Sequence, residues 1–303
     1  VAEYERILVV DLLGGIGDLL MVLPAVHALA RRHTGAALRV LTQEPGASLL
    51  ATDPLVASVS ASEDVSAELS GFDPDLVVST TMHSGIPDLV RAHGCRAVTD
   101  LWRHPAPDER VADRYLRILR SEGLIDATHP GASPHLDASE LDLGRRIVGD
   151  VTAPVVLMRD AGMAVKRWPA ENWRRLADVL AVKHTVVDLP PMSLRLLAAC
   201  FAAVAARGGV VVGGDTGPVR LAEAMGARVI GLFGPTTAGR YGYLSGNLQG
   251  LPGCPHRQPL AITEQPCWWT AECPLSSAGP ACMAAIGVDD VLARLPDARA
   301  GIA

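Results

Sequence analysis

Lysine is nearly missing from this chain: the 27 Lys and Arg residues include only two lysines, Lys166 and Lys183. Aromatic residues make up 4% of the 303 positions, the formal net charge is −6, and no stripe of basic residues interleaved with aromatics occurs. That combination argues against a nucleic-acid-binding protein, which needs cations for phosphates and rings for bases. Long apolar runs are missing too, so no membrane span is expected. No signal peptide is visible, because Val1 to Arg6 leads straight into a strand, and a cytoplasmic location is expected. The six cysteines form no C-x-x-C pair. The late four, Cys254, Cys267, Cys273 and Cys282, are read first as buried free thiols, with a structural metal or a disulfide as the alternative. Cys95 and Cys200 read as core residues. What is present is a 49% hydrophobic, 20% charged composition, long enough for two ordinary domains. The abundance of Ala, Gly, Pro and Arg points to a GC-rich genome.

The most informative stretch runs from Val210 to Thr237. Val210 to Val212 is a short β-branched run that reads as a buried parallel strand, and Gly213-Gly214 allow a sharp turn at its carboxyl end. Asp215 and Thr216 are placed to cap a helix, Gly217 leaves room for a ligand, and Pro218 suits a first helical turn. Free N–H groups at that helix start would face a bound anion. An ordinary strand-helix unit with an Asp cap is the plain alternative.

Near the other end, Ile7 to Asp11 reads as a first buried strand, Leu12 to Gly17 as a glycine-rich turn, and Leu19 to Arg31 as a helix that Pro24 interrupts or bends. Gly17-Asp18 then puts a carboxylate at a helix start above a sheet's carboxyl edge, where ligands bind, although capping is the commoner role of such an Asp. The same turn supports a competing reading as a dinucleotide fingerprint. Gly15 and Gly17 supply two glycines and Glu44 a ribose-binding acid, but Leu20 occupies the third glycine position.

A third cluster is Lys166-Arg167-Trp168-Pro169. Pro154 to Met158 makes a strand, Gly162 opens a loop, and a helix starts at Pro169 or Ala170 and runs through Val179. A lysine on that loop faces the strand ends, with a solvated basic pair packed on Trp168 as the alternative. Further strands are expected at Leu38 to Thr42, Val56 to Ser60, Asp75 to Thr80, Arg96 to Leu101 and Thr185 to Leu189. Helices are expected near Ser66, at Gly85 to Ala92, Asp108 to Glu122 and Ser193 to Ala206. Such alternation means parallel sheets in an α/β fold. From His129 to Ser139 the chain turns to Pro, Gly, Ser and Ala, so a boundary is expected near residues 125 to 152, giving an N-terminal domain over 1–150 and a C-terminal domain over 151–303 that carries the late cysteines and a terminal helix.

These motifs resemble those of glycosyltransferase family 9, the bacterial heptosyltransferases. The family's donor signature runs Asp-Thr/Ser-Gly, two residues, His, then a helix, a strand and Leu-Phe-Gly-Pro-Thr. Here Asp215-Thr216-Gly217 and Leu232 to Thr236 match it, with Arg220 in place of the histidine. Gly17-Asp18 and Leu23-Pro24-Ala25 match its N-terminal motif, Lys166 to Pro169 its Lys-Arg-Trp-Pro segment, and Cys282-Met283-Ala284-Ala285-Ile286 its late Cys-Met-x-x-Ile.

The resemblance implies a GT-B fold, two Rossmann-like domains facing each other across a cleft. A strand-helix unit with a Gly-Gly-Pro-x-Glu segment is not found here, so either the second domain is shortened or a segment is missing from the sequence. It also implies an inverting, metal-independent glycosyltransferase with no cofactor, moving a heptose or related sugar from an ADP-linked donor to an acceptor hydroxyl. Asp18 is then the catalytic base, and Lys166, Asp215, Thr216, Gly217, Arg220 and Thr236 bind the donor. Arg220 can hold a diphosphate but excludes a proton role. Gly17, His83 and His104 are acceptor-side candidates. No acidic pair or Asp-x-Asp motif stands near the phosphate site, so no metal is expected. Given the GC-rich composition, a small natural product such as an aminoglycoside or nucleoside is a more attractive acceptor than lipopolysaccharide. A catalytically silent sugar-nucleotide binding protein and a nicotinamide-dependent oxidoreductase are the alternatives.

Overall fold

The computed structural model describes residues 4–106, 108–126 and 131–296. The chain forms two compact units. One contains the chain up to Pro105 with Val111–Leu136, the other Ala106–Arg110 and the chain from Asp137 onward.

The first unit alternates β1 (Arg6–Val10), α1 (Ile16–Arg32), β2 (Ala37–Thr42), α2 (Gly46–Leu50), β3 (Ser58–Ala61), α3 (Val65–Phe72), β4 (Leu76–Ser79), α4 (Ile86–His93), β5 (Arg96–Val98) and α5 (Val111–Ser121). Its five strands are all parallel, in the order β3-β2-β1-β4-β5. Parallel strands covered on both faces need continuous apolar runs, and Ile7 to Val10 are fully buried. Helix α1 runs unbroken through Pro24, so the expected interruption does not occur. The proline forfeits one backbone bond to the preceding turn, and the buried stretch Leu19 to Leu29 carries the helix across it.

The second unit contains α6 (Ala138–Val148), β6 (Val155–Met158), α7 (Ala170–Lys183), β7 (Val186–Val187), α8 (Leu194–Ala206), β8 (Val210–Gly214), α9 (Gly217–Ala224), β9 (Arg228–Phe233), α10 (Ala238–Tyr241), β10 (Asn247–Gln249), α11 (Ala281–Ala284) and α12 (Val288–Leu292). Its five strands are again all parallel, ordered β10-β9-β8-β6-β7. Between α7 and β8 lies one strand-helix unit, β7-α8. The core gathers Trp168, Trp173, Leu176 and Leu180 with the strand residues and with Met283, Ile286 and Val291 of the late segment. Trp168 meets Trp173 edge-on at 4.8 Å and donates its indole N–H to the Ile286 carbonyl at 3.0 Å, which ties the chain's end to this core.

Helix α6 lies in the boundary region expected near residues 125 to 152, of which residues 127–130 are outside the described residues. Its start is a capping box between Asp137 and Glu140. It packs on α8, where a Cβ at Gly144 would stand 2.4 Å from the Ala199 backbone, and Arg195 grips the Glu140 carboxylate with two nitrogens. The short polar run before it hid a helix whose apolar face is narrow because its neighbour comes so close.

Candidate functional site

In an open parallel sheet, the crevice lies where neighbouring strands send their connections to opposite sides. In the second unit that place is between β6 and β8, and the loops leaving those two strands carry Lys166 and the Asp215-Thr216-Gly217 turn. Lys166 sits at the end of a single 3-10 turn, Ala164–Lys166, above a small core of Val165, Cys267 and Trp268. Its ammonium lies 2.8 Å from Asp215 Oδ2, 3.2 Å from the Asp215 carbonyl and 5.4 Å from the centre of the Trp268 ring. The lysine therefore rests on Trp268, while Trp168 goes to the core. Arg167 donates to the Ala161 carbonyl at 3.2 Å and closes the loop.

Asp215 joins two cations. Arg220 approaches its other carboxylate oxygen at 3.5 Å and Glu223 at 3.7 Å. The Arg220 guanidinium is 7% exposed, bonds the Tyr241 carbonyl and lies over the Tyr243 ring at 4.9 Å. Burial alone would raise the Asp215 carboxyl; the charges of Lys166 and Arg220 overcome it and hold the group below the usual carboxylate range. Asp215 is thus occupied with cations rather than capping. Thr216 stands at the N-cap of α9 with its hydroxyl making no cap bond, so the expected side-chain cap is not formed. The buried hydroxyls of Thr216 and Thr237 have no hydrogen-bond partner among the described residues.

The turn after β9 completes this edge. Thr236 is 1% exposed, and its carbonyl, with those of Phe233 and Gly234, accepts from the Gln249 side chain. Arg257 bonds the Gly234 carbonyl as well, at 2.7 and 3.0 Å. Tyr243 donates to the Gly214 carbonyl at 2.9 Å, and burial pushes its phenol far up, so it stays neutral. Gln249, Arg257 and Tyr243 support the site, and the roles of Gln249 and Arg257 were not read from the sequence. They act through backbone carbonyls far away in the chain, which leave no local pattern.

In the first unit the corresponding place is between β1 and β4. Asp18 lies in the first turn of α1, half-buried beside Gly17, and its N–H donates to the Gly15 carbonyl at 3.0 Å. A Cβ at Gly15 would come 2.5 Å from Asp18 Oδ2, so that position must stay bare for the carboxylate to keep its place. Just below, at the end of β1, stands Asp11, 2% exposed. Thr80 donates its hydroxyl to the Asp11 carboxylate, and the Asp11 N–H donates to Leu41 at 2.9 Å. Burial, with the nearby Asp18 charge added and the Thr80 bond opposing, raises the Asp11 carboxyl to about 7. The only sequence sign of Asp11 was an acid ending an apolar run.

His83 follows β4 and lines a pocket of about 290 Å³ with Leu12, Gln43, Glu63, Asp64 and Ser66. His104 is exposed, with φ of 50°, and is not part of that lining. Glu44, the acid of the dinucleotide reading, caps α2 instead by accepting from the Ser48 N–H and hydroxyl. Among the described residues no group of three or more His, Cys, Asp or Glu could hold a metal ion, and all six cysteines are free thiols. No described helix is long and apolar enough to cross a membrane.

Comparison with known proteins bears out the resemblance drawn from the motifs. Residues 183–267 match glycosyltransferase family 9 (heptosyltransferase). The fold matches solved structures over most of the chain. The family 9 glycosyl transferase from Veillonella parvula DSM 2008 aligns over 96% of both chains with a TM-score of 0.72 and 15% identity. E. coli ADP-heptose lps heptosyltransferase II aligns over 95% of this chain and 98% of its own, with a TM-score of 0.64 and 16% identity. E. coli heptosyltransferase WaaC with ADP aligns over 80% and 92%, with a TM-score of 0.59 and 21% identity. No curated protein matches the sequence.

Proposed function

We propose, for a chain with the glycosyltransferase fold of the heptosyltransferases and a family 9 segment in its second unit, that it transfers a sugar, with inversion, from a nucleotide-diphosphate donor to an acceptor hydroxyl. The donor is an ADP-linked heptose or a close relative, in keeping with the ADP and ADP-heptose analogue held by two of the similar E. coli structures. The observation that carries the reading is the set of groups at the β6 and β8 ends: a lysine, an uncapped helix start and an unpartnered buried hydroxyl. An ammonium has three hydrogens. Asp215 takes two of them in Lys166 and leaves one for a phosphate oxygen. The amides at Gly217 and the Thr216 hydroxyl supply further donors. Arg220, buried against Tyr243, contributes its charge and holds Asp215 in place.

In the reaction, Asp18 of the first unit takes the acceptor hydroxyl's proton as the oxygen attacks the anomeric carbon. The bond from that carbon to the diphosphate breaks on the opposite side, and the nucleoside diphosphate leaves with the electron pair. Charge grows on the leaving oxygens, where fixed cations and amides are worth most. The reading needs no metal. The His83 pocket suits the acceptor: its lining has the acids Glu63 and Asp64 and no Lys or Arg, which favours a hydroxylated, uncharged or amine-bearing molecule over a phosphorylated one.

The test is calorimetric binding of ADP and adenosine to the wild type and Lys166→Ala. Loss of a charge-assisted bond should weaken ADP by about ten- to a hundredfold and adenosine little. Equal losses for both ligands would show that Lys166 acts through packing.

A further inference from the structure

The turn that carries Cys267 and Trp268 enters none of the steps above, yet it stands against the donor lysine. We propose that Trp268 is a positioning residue for Lys166: its ring face holds the ammonium at the strand ends while leaving one of its hydrogens free for the donor's diphosphate. The inference rests on the reading of Lys166 as a phosphate-binding group.

The turn is fixed by its own bonds. Gln265 is 3% exposed and its carbonyl accepts the Trp268 N–H at 3.0 Å, while the Cys267 carbonyl accepts the Ala271 N–H at 2.9 Å. Trp268 is 6% exposed and its neighbour Trp269 is 74% exposed, so the chain turns one indole inward and the next outward. Trp268 packs with Cys267 and Val165, and Met163, Ile262 and Ala271 gather around them. Burial pushes the Cys267 thiol up, so it stays a neutral packing group. Met163 and Val165 belong to the Lys166 turn, in which the Lys166 N–H donates to the Met163 carbonyl at 3.0 Å. The backbone of the lysine is thus seated on the same loop that supplies the ring. Its ammonium then meets two kinds of partner, the Asp215 oxygens at 2.8 and 3.2 Å and the ring centre at 5.4 Å. An oxygen takes a hydrogen from the ammonium, whereas a ring face attracts the cation through its quadrupole. The ring therefore holds Lys166 without adding an oxygen that competes with phosphate for the hydrogen Asp215 leaves. Without the ring, a flexible four-carbon stem would be held by Asp215 alone and could fold down onto that carboxylate.

The experiment is calorimetric binding of ADP and of adenosine to the full chain as wild type, Trp268→Leu, Trp268→Phe, Lys166→Ala and Lys166→Ala with Trp268→Leu, each checked by circular dichroism. Trp268→Leu, which fills the space without a ring, should weaken ADP about tenfold and adenosine less than about twofold. Trp268→Phe keeps a ring face and should recover most of that loss. In the Lys166→Ala background, Trp268→Leu should change ADP affinity little, because coupling between two groups vanishes when one is absent. If the leucine variant does not fold, wild type and Lys166→Ala carrying fluorinated tryptophan serve instead. Fluorine drains charge from the ring face and keeps its shape, so ADP binding should weaken stepwise with fluorine number in the wild type alone. Any of three results overturns the proposal: equal losses for ADP and adenosine, additive losses in the double variant, or an ADP affinity unmoved by leucine or by fluorine. If Lys166→Ala weakens ADP and Trp268→Leu does not, Trp268 is removed and the donor reading stands. ADP affinity unchanged in Lys166→Ala ends both.

Discussion

Each unit ends a central strand on an acid, the buried Asp11 after β1 and the part-buried Asp215 after β8, and the two acids are shifted in opposite directions. Asp215 has Lys166 at 2.8 Å and Arg220 at 3.5 Å, and its carboxyl is lowered. Asp11 has a hydroxyl and a second acid, and its carboxyl is raised to about 7. Burial raises both carboxyls, and the two shifts differ in sign because only Asp215 has cations that overcome it. The second unit thereby keeps fixed charge at its strand ends, and the first keeps a buried carboxyl that holds its proton more tightly.

The hardest blow to this contrast is Asp215→Ala. It leaves the buried Arg220 and the half-buried Lys166 close together without their shared anion, and should cost up to about 3–5 kcal/mol in urea unfolding, the range for breaking a buried pair. A loss within 1 kcal/mol would mean that the ion pairs are solvated and carry little.

Asp11→Asn should act in the opposite sense. A raised native carboxyl binds its proton more tightly than the unfolded chain does, so its stabilisation is present below the ordinary value of 3.8 and is lost as pH rises through about 7. The asparagine keeps the Thr80 contact without the charge. It should be more stable than wild type at pH 8 by up to about 4 kcal/mol and equal to it near pH 4. For Asp215 the sign reverses: its contribution is present above 3.8 and is lost as pH falls through the lowered native value. A wild-type stability curve flat between pH 4 and 8 would contradict the Asp11 assignment.

Asp18→Asn keeps the size of the side chain, so the fold and ADP binding should survive while sugar transfer falls about a hundredfold or more, roughly 2.7 kcal/mol on the barrier. Unchanged turnover would remove Asp18 as base. The smallest expected effect is that of EDTA, which should leave transfer unchanged, with circular dichroism followed alongside so that a loss of fold is told apart from a loss of chemistry. Activity lost with the fold intact and restored by magnesium would overturn the metal-free mechanism.

Much of the architecture was legible in the sequence. Alternating apolar runs and helical periods gave two parallel α/β sheets, because strands buried on both faces must be apolar throughout. Glycines and acids marked the strand ends at which the connections of each sheet diverge. The helix α6 was not legible, since its start lies in a run of Pro, Gly and Ser and its packing depends on Gly144 meeting Ala199 from a distant helix. Glu44 shows the reverse failure: an acid at a plausible ribose-binding spacing that is spent locally on Ser48.

By itself the sequence determined the order of strands, turns and helices and the kinds of group at each strand end, because those follow from periodicity and from what glycine, proline and carboxylates do locally. Only the tertiary structure decided how those groups are charged and supported. It set Arg220 on Tyr243 rather than in the open, spread Lys166 over Trp268, and buried Asp11 against the Thr80 hydroxyl. The reason is that a buried charge is governed by partners a few ångströms away in space, and these partners come from strands and loops dozens of residues apart in the chain.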